Sequence, residues 1–363
     1  MSVFAAIAVL GLLVAVHELG HFLAARLQGI HVNRFSIGFG PAVLKYQGAE
    51  TEYALRAFPL GGFVGFPDDD PESDIPANDP DLLKNRPIMD RAIVISAGVI
   101  ANLIFAYLVF VLQLSILGVQ EFNLEPGVAI PQVVAADAPA AQGGLQNGDV
   151  VTAVNGQTLG TGEPAERILM DAIQSSPNQS IDLQVERDDI ELSLQITPRV
   201  EDDGTARIGA LLAPNGTAEF RRPHGLGEIL GGAAQEFQRM FLRIVRGFVT
   251  LITNFSSVAG QVAGPVKIVE QGASLASDNI GYLFPFTALI SINLAIINIL
   301  PLPALDGGQL AFLLIEAARG KPLPSQFQEN VMQTGLVVLL GLGLFLIVRD
   351  TTQLDAVQRL FQQ

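Results

Sequence analysis

The stretch VFAAIAVLGLLVAVHELGHFLAA, residues 3–25, decides the fold because it joins an apolar helix pattern to side chains that could act on a metal ion. Residues 3–16 carry no charge, and the apolar pattern continues through His17-Glu18-Leu19-Gly20-His21 to about Ala25. Two histidines and a glutamate are costly inside an apolar span unless they line a polar cavity or bind something. We therefore expect a membrane span that contains a functional site, with a cleaved signal peptide as the alternative.

The composition also favours a membrane protein. Only 16% of the residues are charged and the mean hydropathy is +0.40, whereas soluble proteins carry about 25% charged residues. Three further uncharged runs can each cross a hydrocarbon core of about 30 Å: residues 92–118, 280–305 and 331–348. Residues 247–266 are uncharged but carry several polar side chains, so we expect them to be interfacial or buried against other helices. The sequence predicts about four transmembrane helices and leaves a fifth open.

A region of different character lies between the second and third spans. Residues 150–154 are a strand candidate, and Asn155-Gly156 is a strong tight-turn signal. Residues 162–174 have the pattern of one amphipathic helix. Residues 181–188 and 191–200 alternate apolar and polar positions, as half-buried strands do. The predicted fold class is an α-helical polytopic membrane protein with one inserted α+β module.

The predicted domain organisation has four parts. Residues 1–120 form the first part of the membrane domain, 121–207 the inserted module, 208–279 a linker with an amphipathic helical region, and 280–363 the second part of the membrane domain. Residues 66–90 are rich in Pro and Asp, which predicts an exposed loop.

The polar residues of the first span have the spacing of a metal site. His17 and His21 are four residues apart, about one helical turn, so their side chains project from the same face and can bind one metal ion. Glu18 is rotated by about 100° and lies beside the metal, where it can hold a water molecule and accept its proton. The same motif occurs by chance in soluble helices, where the His and Glu side chains simply face water. That explanation does not apply to an apolar span, where such side chains are costly.

A catalytic zinc ion needs a third protein ligand and one open position. The chain has 4 histidines and no cysteine, which excludes thiolate ligands. His31 lies beyond the span at a spacing that matches no common zinc pattern, and His224 lies in a loop after the inserted module, so both have the setting of surface histidines. Asp306 ends an uncharged run, after Pro301 and Pro303 have broken the helix. Asp306 is therefore either the third zinc ligand or a residue that only marks the water-facing end of the span.

HExxH in the first span and NxxPxPxxDG at residues 298–307 together resemble the site-2 proteases, a family of intramembrane metalloproteases. The resemblance covers most of the chain, and its pieces are specific in their order and spacing. The further matching pieces are GFGP (38–41), TEYALRAFPLGGFV (51–64), AGVIAN (97–102), GLQNGDVVTAVNG (144–156), which is the core of a PDZ domain, and GPVKI (264–268).

The resemblance implies a zinc ion held by His17, His21 and Asp306, with Glu18 as the general base. It implies that Asn298 lies near the scissile carbonyl, as a substrate holder or oxyanion donor. PLGGFV and the strands before it are similar to the family's membrane-associated β-hairpin, which could pair with an extended substrate by strand addition.

One departure from the family concerns the second span. The usual AGPxxN appears as AGVIAN, without the proline. Because Asn102 is kept, we expect altered helix packing and unchanged chemistry. Family members carry none, one or two PDZ domains, and this chain has room for one.

The resemblance implies a zinc endoprotease that cuts transmembrane segments of single-pass membrane proteins, such as membrane-tethered regulators of the anti-sigma-factor kind. Its expected partners are these substrates, the lipid bilayer and, as a further option, substrate tails at the PDZ domain. The net charge of −15 argues against nucleic acid. The seven basic residues from Arg26 to Arg91 favour a cytoplasmic first loop, which puts the PDZ domain on the extracytoplasmic side of a bacterial-type plasma membrane.

Two other functions fit parts of the sequence. A PDZ-containing membrane scaffold or chaperone could carry a structural metal site, although such a site needs no base beside its ligands. A transporter also uses broken helices and intramembrane carboxylates, but we find no inverted repeat.

Overall fold

The computed structural model describes residues 2–70, 73–201, 204–254 and 263–353. The chain divides into two compact units. The membrane unit consists of Met1–Leu117 and Pro223–Gln363, and the inserted module is Gly118–Arg222.

The secondary-structure elements are numbered in chain order. The helices are α1 Ser2–Leu27, α2 Ile88–Leu117, α3 Pro139–Gln142, α4 Gly162–Gln174, α5 Leu226–Thr253, α6 Pro265–Asp278, α7 Leu283–Ile299, α8 Asp306–Arg319 and α9 Ser325–Gln353. The strands are β1 Arg34–Gln47, β2 Glu52–Gly65, β3 Val119–Val133, β4 Val150–Val154, β5 Gln157–Thr158, β6 Ile181–Arg187, β7 Ile190–Ile196, β8 Arg199–Val200, β9 Ala206–Arg207 and β10 Ala210–Arg221.

Four helical segments of the described chain are long and apolar enough to cross a membrane, and they confirm the predicted number of spans. They are Val3–Leu27, Ile88–Leu117, Ile280–Ile299 and Ser325–Thr352. The third begins with a short 3₁₀ turn and continues into α7. Of residues 247–266, 255–262 lie outside the described residues; α5 ends at Thr253 and α6 begins at Pro265.

Helix α2 lies at the centre of the membrane unit. It contacts α1 so closely that a methyl group added at Gly20 would lie 2.5 Å from the Ala97 carbonyl oxygen. On its other side, Ser291 of α7 donates a hydrogen bond to the Asn102 carbonyl at 2.8 Å. These two contacts bring the first and third spans together against the second.

Strands β1 and β2 form a sheet that is wider than the predicted hairpin. Residues 44–47 of β1 pair with residues 52–55 of β2, as in a hairpin. Residues 34–37 of β1 have partners on two sides, in residues 52–55 and 62–65. The sheet exposes a group of large apolar side chains: Phe39, Val43, Leu44, Tyr46 and Phe58. Exposed apolar side chains on a sheet of a membrane protein fit contact with the bilayer.

The inserted module contains one main sheet in the order β10-β3-β4-β6-β7, and β5 pairs with β4. The predicted strand Val150–Val154 and the predicted helix Gly162–Gln174 have the expected bounds. Asn155 and Gly156 have φ angles of 49° and 79°, as the tight turn between β4 and β5 requires. Every second residue of β6 is buried, in agreement with the alternation of the sequence.

The module extends further than the sequence indicated. Residues 210–221, for which the sequence predicts a linker, form β10 and pair with β3 in antiparallel register. A register shift between Pro214 and Gly216 interrupts the strand, and Gly216 has a φ of 148°. This bulge obscures the period-2 pattern by which a strand is found in a sequence.

Candidate metal centre

Three potential ligand atoms meet where the first span faces the end of the third. His17 Nε2 lies 3.3 Å from His21 Nε2. Asp306 Oδ2 lies 3.3 Å from His17 Nε2 and 3.4 Å from His21 Nε2. The three side chains form a nearly equilateral triangle and are largely shielded from solvent.

The triangle has the dimensions of a tetrahedral zinc site. Ligand atoms at about 2.0–2.1 Å from a tetrahedral metal are about 3.3–3.4 Å from one another. The Asp306 Oδ2 atom is also buried and accepts no hydrogen bond in the described part of the chain. A buried carboxylate oxygen without a donor is rare unless a cation satisfies it. Two imidazoles and one carboxylate, with a fourth position open, are a donor set of catalytic zinc sites.

The sequence between α7 and α8 explains how Asp306 reaches this position. Pro301 and Pro303 cannot continue α7, and Ala304 adopts a φ of 69°, in the left-handed region. Helix α8 then begins at Asp306. A methyl group at Gly307 would lie 2.2 Å from the Leu300 carbonyl oxygen, so the first turn of α8 can pack on the preceding backbone only with glycine there.

Helix α2 supports both imidazoles, and two of its contributions were missed by sequence reasoning. His21 Nδ1 donates a hydrogen bond to the Val94 carbonyl at 2.8 Å. A methyl group at Gly98 would lie 2.3 Å from His21 Nε2, so this glycine makes room for the rings. The side chain of Asn102 lies 3.2 Å from His17 Nδ1. Backbone contacts and a helix crossing leave no direct sign in sequence, although AGVIAN marks the segment.

The other two predicted site residues lie beside the triangle. The half-buried Glu18 follows His17 in α1, and a methyl group at Gly62 of β2 would lie 2.8 Å from Glu18 Cγ. The Asn298 amide nitrogen lies 3.4 Å from His17 Nε2. Strand β2 and the end of α7 therefore both lie next to the first-span residues His17 and Glu18.

The remaining histidines lie elsewhere. His31 Nε2 is 3.8 Å from Asp79 Oδ1, in a partly exposed group that also contains Asp81. The backbone amide of His224 donates to Glu228. Neither histidine joins His17 and His21 in the group of potential ligands around Asp306.

Comparison with known families decides the assignment. The sequence model of peptidase family M50 matches residues 5–342. The chain belongs to peptidase family M50. This is the family of the site-2 proteases, so the resemblance predicted from the motifs is confirmed.

Relatives of known name match nearly the whole of this member of family M50. A protein of Nostoc sp. strain PCC 7120, provisionally named a zinc metalloprotease, is 61% identical over 100% of both chains. The membrane metalloprotease ARASP of Arabidopsis thaliana, a chloroplast protein, is 47% identical and matches 99% of this chain and 80% of its own. The M50 member described here is thus a zinc metalloprotease with membrane spans.

A solved structure resembles a smaller part of the chain. The PDZ domain of an SdrC-like protein from Listeria monocytogenes is 25% identical over 24% of this chain and 86% of that domain, with a TM-score of 0.21.

Proposed function

We propose that the protein is an intramembrane endoprotease that cuts the transmembrane segments of single-pass membrane proteins. The observation that carries the proposal is the triangle of His17, His21 and Asp306, which combines a zinc-sized ligand set with helices of membrane-spanning length. Glu18 adds a carboxylate next to the ligands, which a purely structural metal site would not need.

The chemistry follows from these residues. Zinc held by His17, His21 and Asp306 would supply Lewis acidity, which lowers the pKa of a water molecule and polarises a peptide carbonyl. Glu18 takes the proton of the attacking water and passes it to the leaving amine. The Asn298 amide lies against the ligand side of His17, so it can donate a hydrogen bond to the substrate carbonyl.

Strand β2 offers a way to hold the substrate. Residues 62–65 pair with residues 34–37 on one side, and no further strand pairs with them among the described residues. Their position next to Glu18 puts a free strand edge beside the base. A transmembrane helix hides its carbonyls in hydrogen bonds, so a substrate must unwind before cleavage, and an unwound segment can add to this edge.

The inserted module acts as a PDZ domain that selects substrates, in the proposed scheme by excluding bulky ones. It lies on the extracytoplasmic side of a bacterial-type plasma membrane, and residues 26–91 and 307–330 are cytoplasmic. Membrane-tethered regulators that another protease has already shortened are the expected substrates. Reporter fusions at residues 70 and 204 test this topology. The proposal requires opposite compartments for the two reporters, and a shared compartment would contradict it.

Cleavage of a defined single-pass substrate tests the enzymatic proposal. The variant Glu18→Gln removes the base and keeps the shape of the side chain, so cleavage should fall by about 10²–10⁴-fold. Zinc content should stay at one ion per chain, since Glu18 is not a ligand. Wild-type activity in a zinc-loaded Glu18→Gln protein would refute the mechanism, and a wild-type protein that binds zinc but never cleaves would favour the structural-site alternative.

A further inference from the structure

Helix α2 carries a line of three positions, each one turn after the last, that faces the two imidazoles. Val94, Gly98 and Asn102 are four residues apart, so they lie on one face of the helix. Val94 contributes a carbonyl oxygen, Gly98 contributes space, and Asn102 contributes a side-chain amide. Val94 and Asn102 contact the Nδ1 atoms of the two rings, while Gly98 leaves room for the rings themselves.

The Val94 contact fixes the tautomer of His21. A backbone carbonyl can only accept a hydrogen bond, so the proton must be on His21 Nδ1. The lone pair is then on Nε2, the atom that faces Asp306. This is the usual arrangement of a metal-binding histidine, whose second nitrogen donates to a carbonyl or carboxylate.

Asn102 lies in the equivalent place for His17. Its side chain is 0% exposed, and its amide nitrogen lies 3.2 Å from His17 Nδ1. Its Oδ1 atom is buried without a hydrogen-bond partner in the described residues. The amide oxygen and nitrogen can be exchanged by a 180° rotation of the side chain, and their placement is an assignment based on hydrogen bonding.

We infer that Asn102 is a positioning residue whose Oδ1 accepts a hydrogen bond from His17 Nδ1 and so leaves the lone pair of Nε2 for the metal. The reverse arrangement would have Asn102 donate to Nδ1 and would put a proton on Nε2, which faces His21 and Asp306. This inference rests on the proposed ligand set of His17, His21 and Asp306.

The surroundings keep Asn102 in this role. Its carbonyl accepts the hydrogen bond from Ser291 of α7, so the backbone at this position is tied to the third span. Asn102 has no exposed surface, so its side chain is shielded from bulk solvent where it contacts His17 Nδ1. The Ser291–Asn102–His17 chain of contacts therefore joins α7, α2 and α1 at the metal site.

Zinc affinity, measured by competition with a chelator on the purified full chain, tests the inference without any substrate. Asn102→Leu keeps the approximate size but removes the acceptor, and it should weaken zinc binding by about 10–100-fold. Asn102→Asp keeps an acceptor at the same place and should bind zinc at least as tightly as the wild type. The d–d absorption spectrum of the Co²⁺-substituted protein should be tetrahedral in the wild type and in Asn102→Asp, and changed in Asn102→Leu.

A matched control exists on the same helix. Gln113 lies 11 residues after Asn102, about three turns along the same face, and also has a buried amide oxygen without a partner in the described residues. Gln113→Leu makes the same chemical change away from the histidines and should leave zinc affinity at the wild-type value.

The results separate the inference from the function on which it rests. A wild-type chain that binds no zinc would refute the proposed metal site itself. A wild-type chain with tight zinc binding, combined with unchanged affinity in folded Asn102→Leu, would overturn only the role of Asn102. The role of Asn102 would also be overturned if the Asn102→Asp variant bound zinc 10-fold or more weakly than the wild type. That result would mean that a hydrogen-bond acceptor at residue 102 does not support His17. This second test remains valid even if the Asn102→Leu variant does not fold.

Discussion

The inserted module and the membrane unit each hold a carboxylate away from solvent, and they satisfy it differently. Asp149 of the module is 1% exposed and accepts hydrogen bonds from Arg187 Nε at 2.6 Å and from the Gln146 amide at 2.8 Å. Asp306 of the membrane unit faces two imidazole nitrogens, and its Oδ2 accepts no hydrogen bond in the described chain. A saturated carboxylate stabilises a fold, whereas one that is left open is available to a ligand.

The same contrast extends to the way the two regions are packed. The module is built around one apolar cluster that includes Val128, Val151, Leu169 and Leu183. At the centre of the membrane unit, glycines allow helix backbones and polar rings into close contact. Small changes of volume should therefore affect zinc in the membrane unit, while changes of charge pairing should affect stability in the module.

The largest effect is expected from Gly98→Ala. The added methyl group would lie 2.3 Å from His21 Nε2 and 2.7 Å from His17 Cε1, so both rings must move. Zinc affinity should fall by at least about 100-fold, with a parallel loss of cleavage. Chelator competition on the purified variant measures this.

Gly341→Ala is the matched control, because a methyl group there meets no atom within 4 Å. Zinc binding in this variant should be that of the wild type. Equal zinc affinities in the Gly98→Ala and Gly341→Ala variants would contradict the close packing of α2 against His17 and His21.

A smaller and local effect is expected from Asp149→Ala. Removing the acceptor leaves Arg187 without its carboxylate partner, and the module should lose about 1–3 kcal/mol of stability. Amide hydrogen exchange of β4 and β6 in the full chain should become faster. Zinc affinity should not change, in contrast to Gly98→Ala.

Asp182→Ala provides the comparison for Asp149→Ala. Asp182 is an exposed residue of β6, so its removal should leave exchange close to that of the wild type. Equal protection of the β4 and β6 amides from hydrogen exchange in the two variants would show that the Asp149–Arg187 pair does not stabilise the module.

The Asp149–Arg187 pair also predicts that the stability of the module depends on pH. Burial raises the pKa of Asp149, but the hydrogen bonds from Arg187 and Gln146 and the charge of Arg187 outweigh it, so this pKa lies below its usual value. A lowered pKa in the folded state means that the stabilisation is complete above the unfolded pKa of about 4 and is lost as the pH falls further. Protection of β4 and β6 should therefore decrease below about pH 4 in the wild type. An Asp149→Ala protein whose protection falls by the same amount over this range would contradict the assignment.

The smallest effect is expected from removal of the module. Val119 and Arg221 are paired at the ends of β3 and β10, so a short Gly/Ser linker can replace residues 118–222. Cleavage of a bare transmembrane peptide should stay close to the wild-type rate, because all the proposed ligands and the base lie in the membrane unit. If the module is a filter, bulky-headed substrates should be cut at least as fast as by the wild type.

Two outcomes of the deletion would change the account. Slower cleavage of trimmed substrates alone would show that the module captures new tails. Complete loss of peptide cleavage in a folded, zinc-loaded deletion would make the module part of the catalytic architecture.

Most of the site could be predicted because its signals are local. Four-residue spacing in α1 brings His17 and His21 to one face, and the break at Pro301 and Pro303 singles out Asp306 as a polar residue at the end of an apolar run. The strand at 150–154 and the helix at 162–174 also follow from short-range periodicity.

The remaining features depend on contacts between distant residues. The Val94 carbonyl and the space at Gly98 become functional only where α1 crosses α2, and no residue pattern encodes a backbone oxygen. Strand β10 was missed because a bulge at residues 214–216 breaks its alternation. The width of the β1–β2 sheet was missed because residues 34–37 have partners on both sides, which composition cannot show.

Zinc K-edge X-ray absorption on the purified protein tests the central claim most directly. The account predicts one zinc ion per chain with four nitrogen or oxygen ligands at about 2.0–2.1 Å and outer-shell scattering from two imidazoles. His17 and His21 would account for both rings, and Asp306 for a carboxylate oxygen. Scattering from one imidazole, or from three as would be required if His31 or His224 were a ligand, would contradict the site.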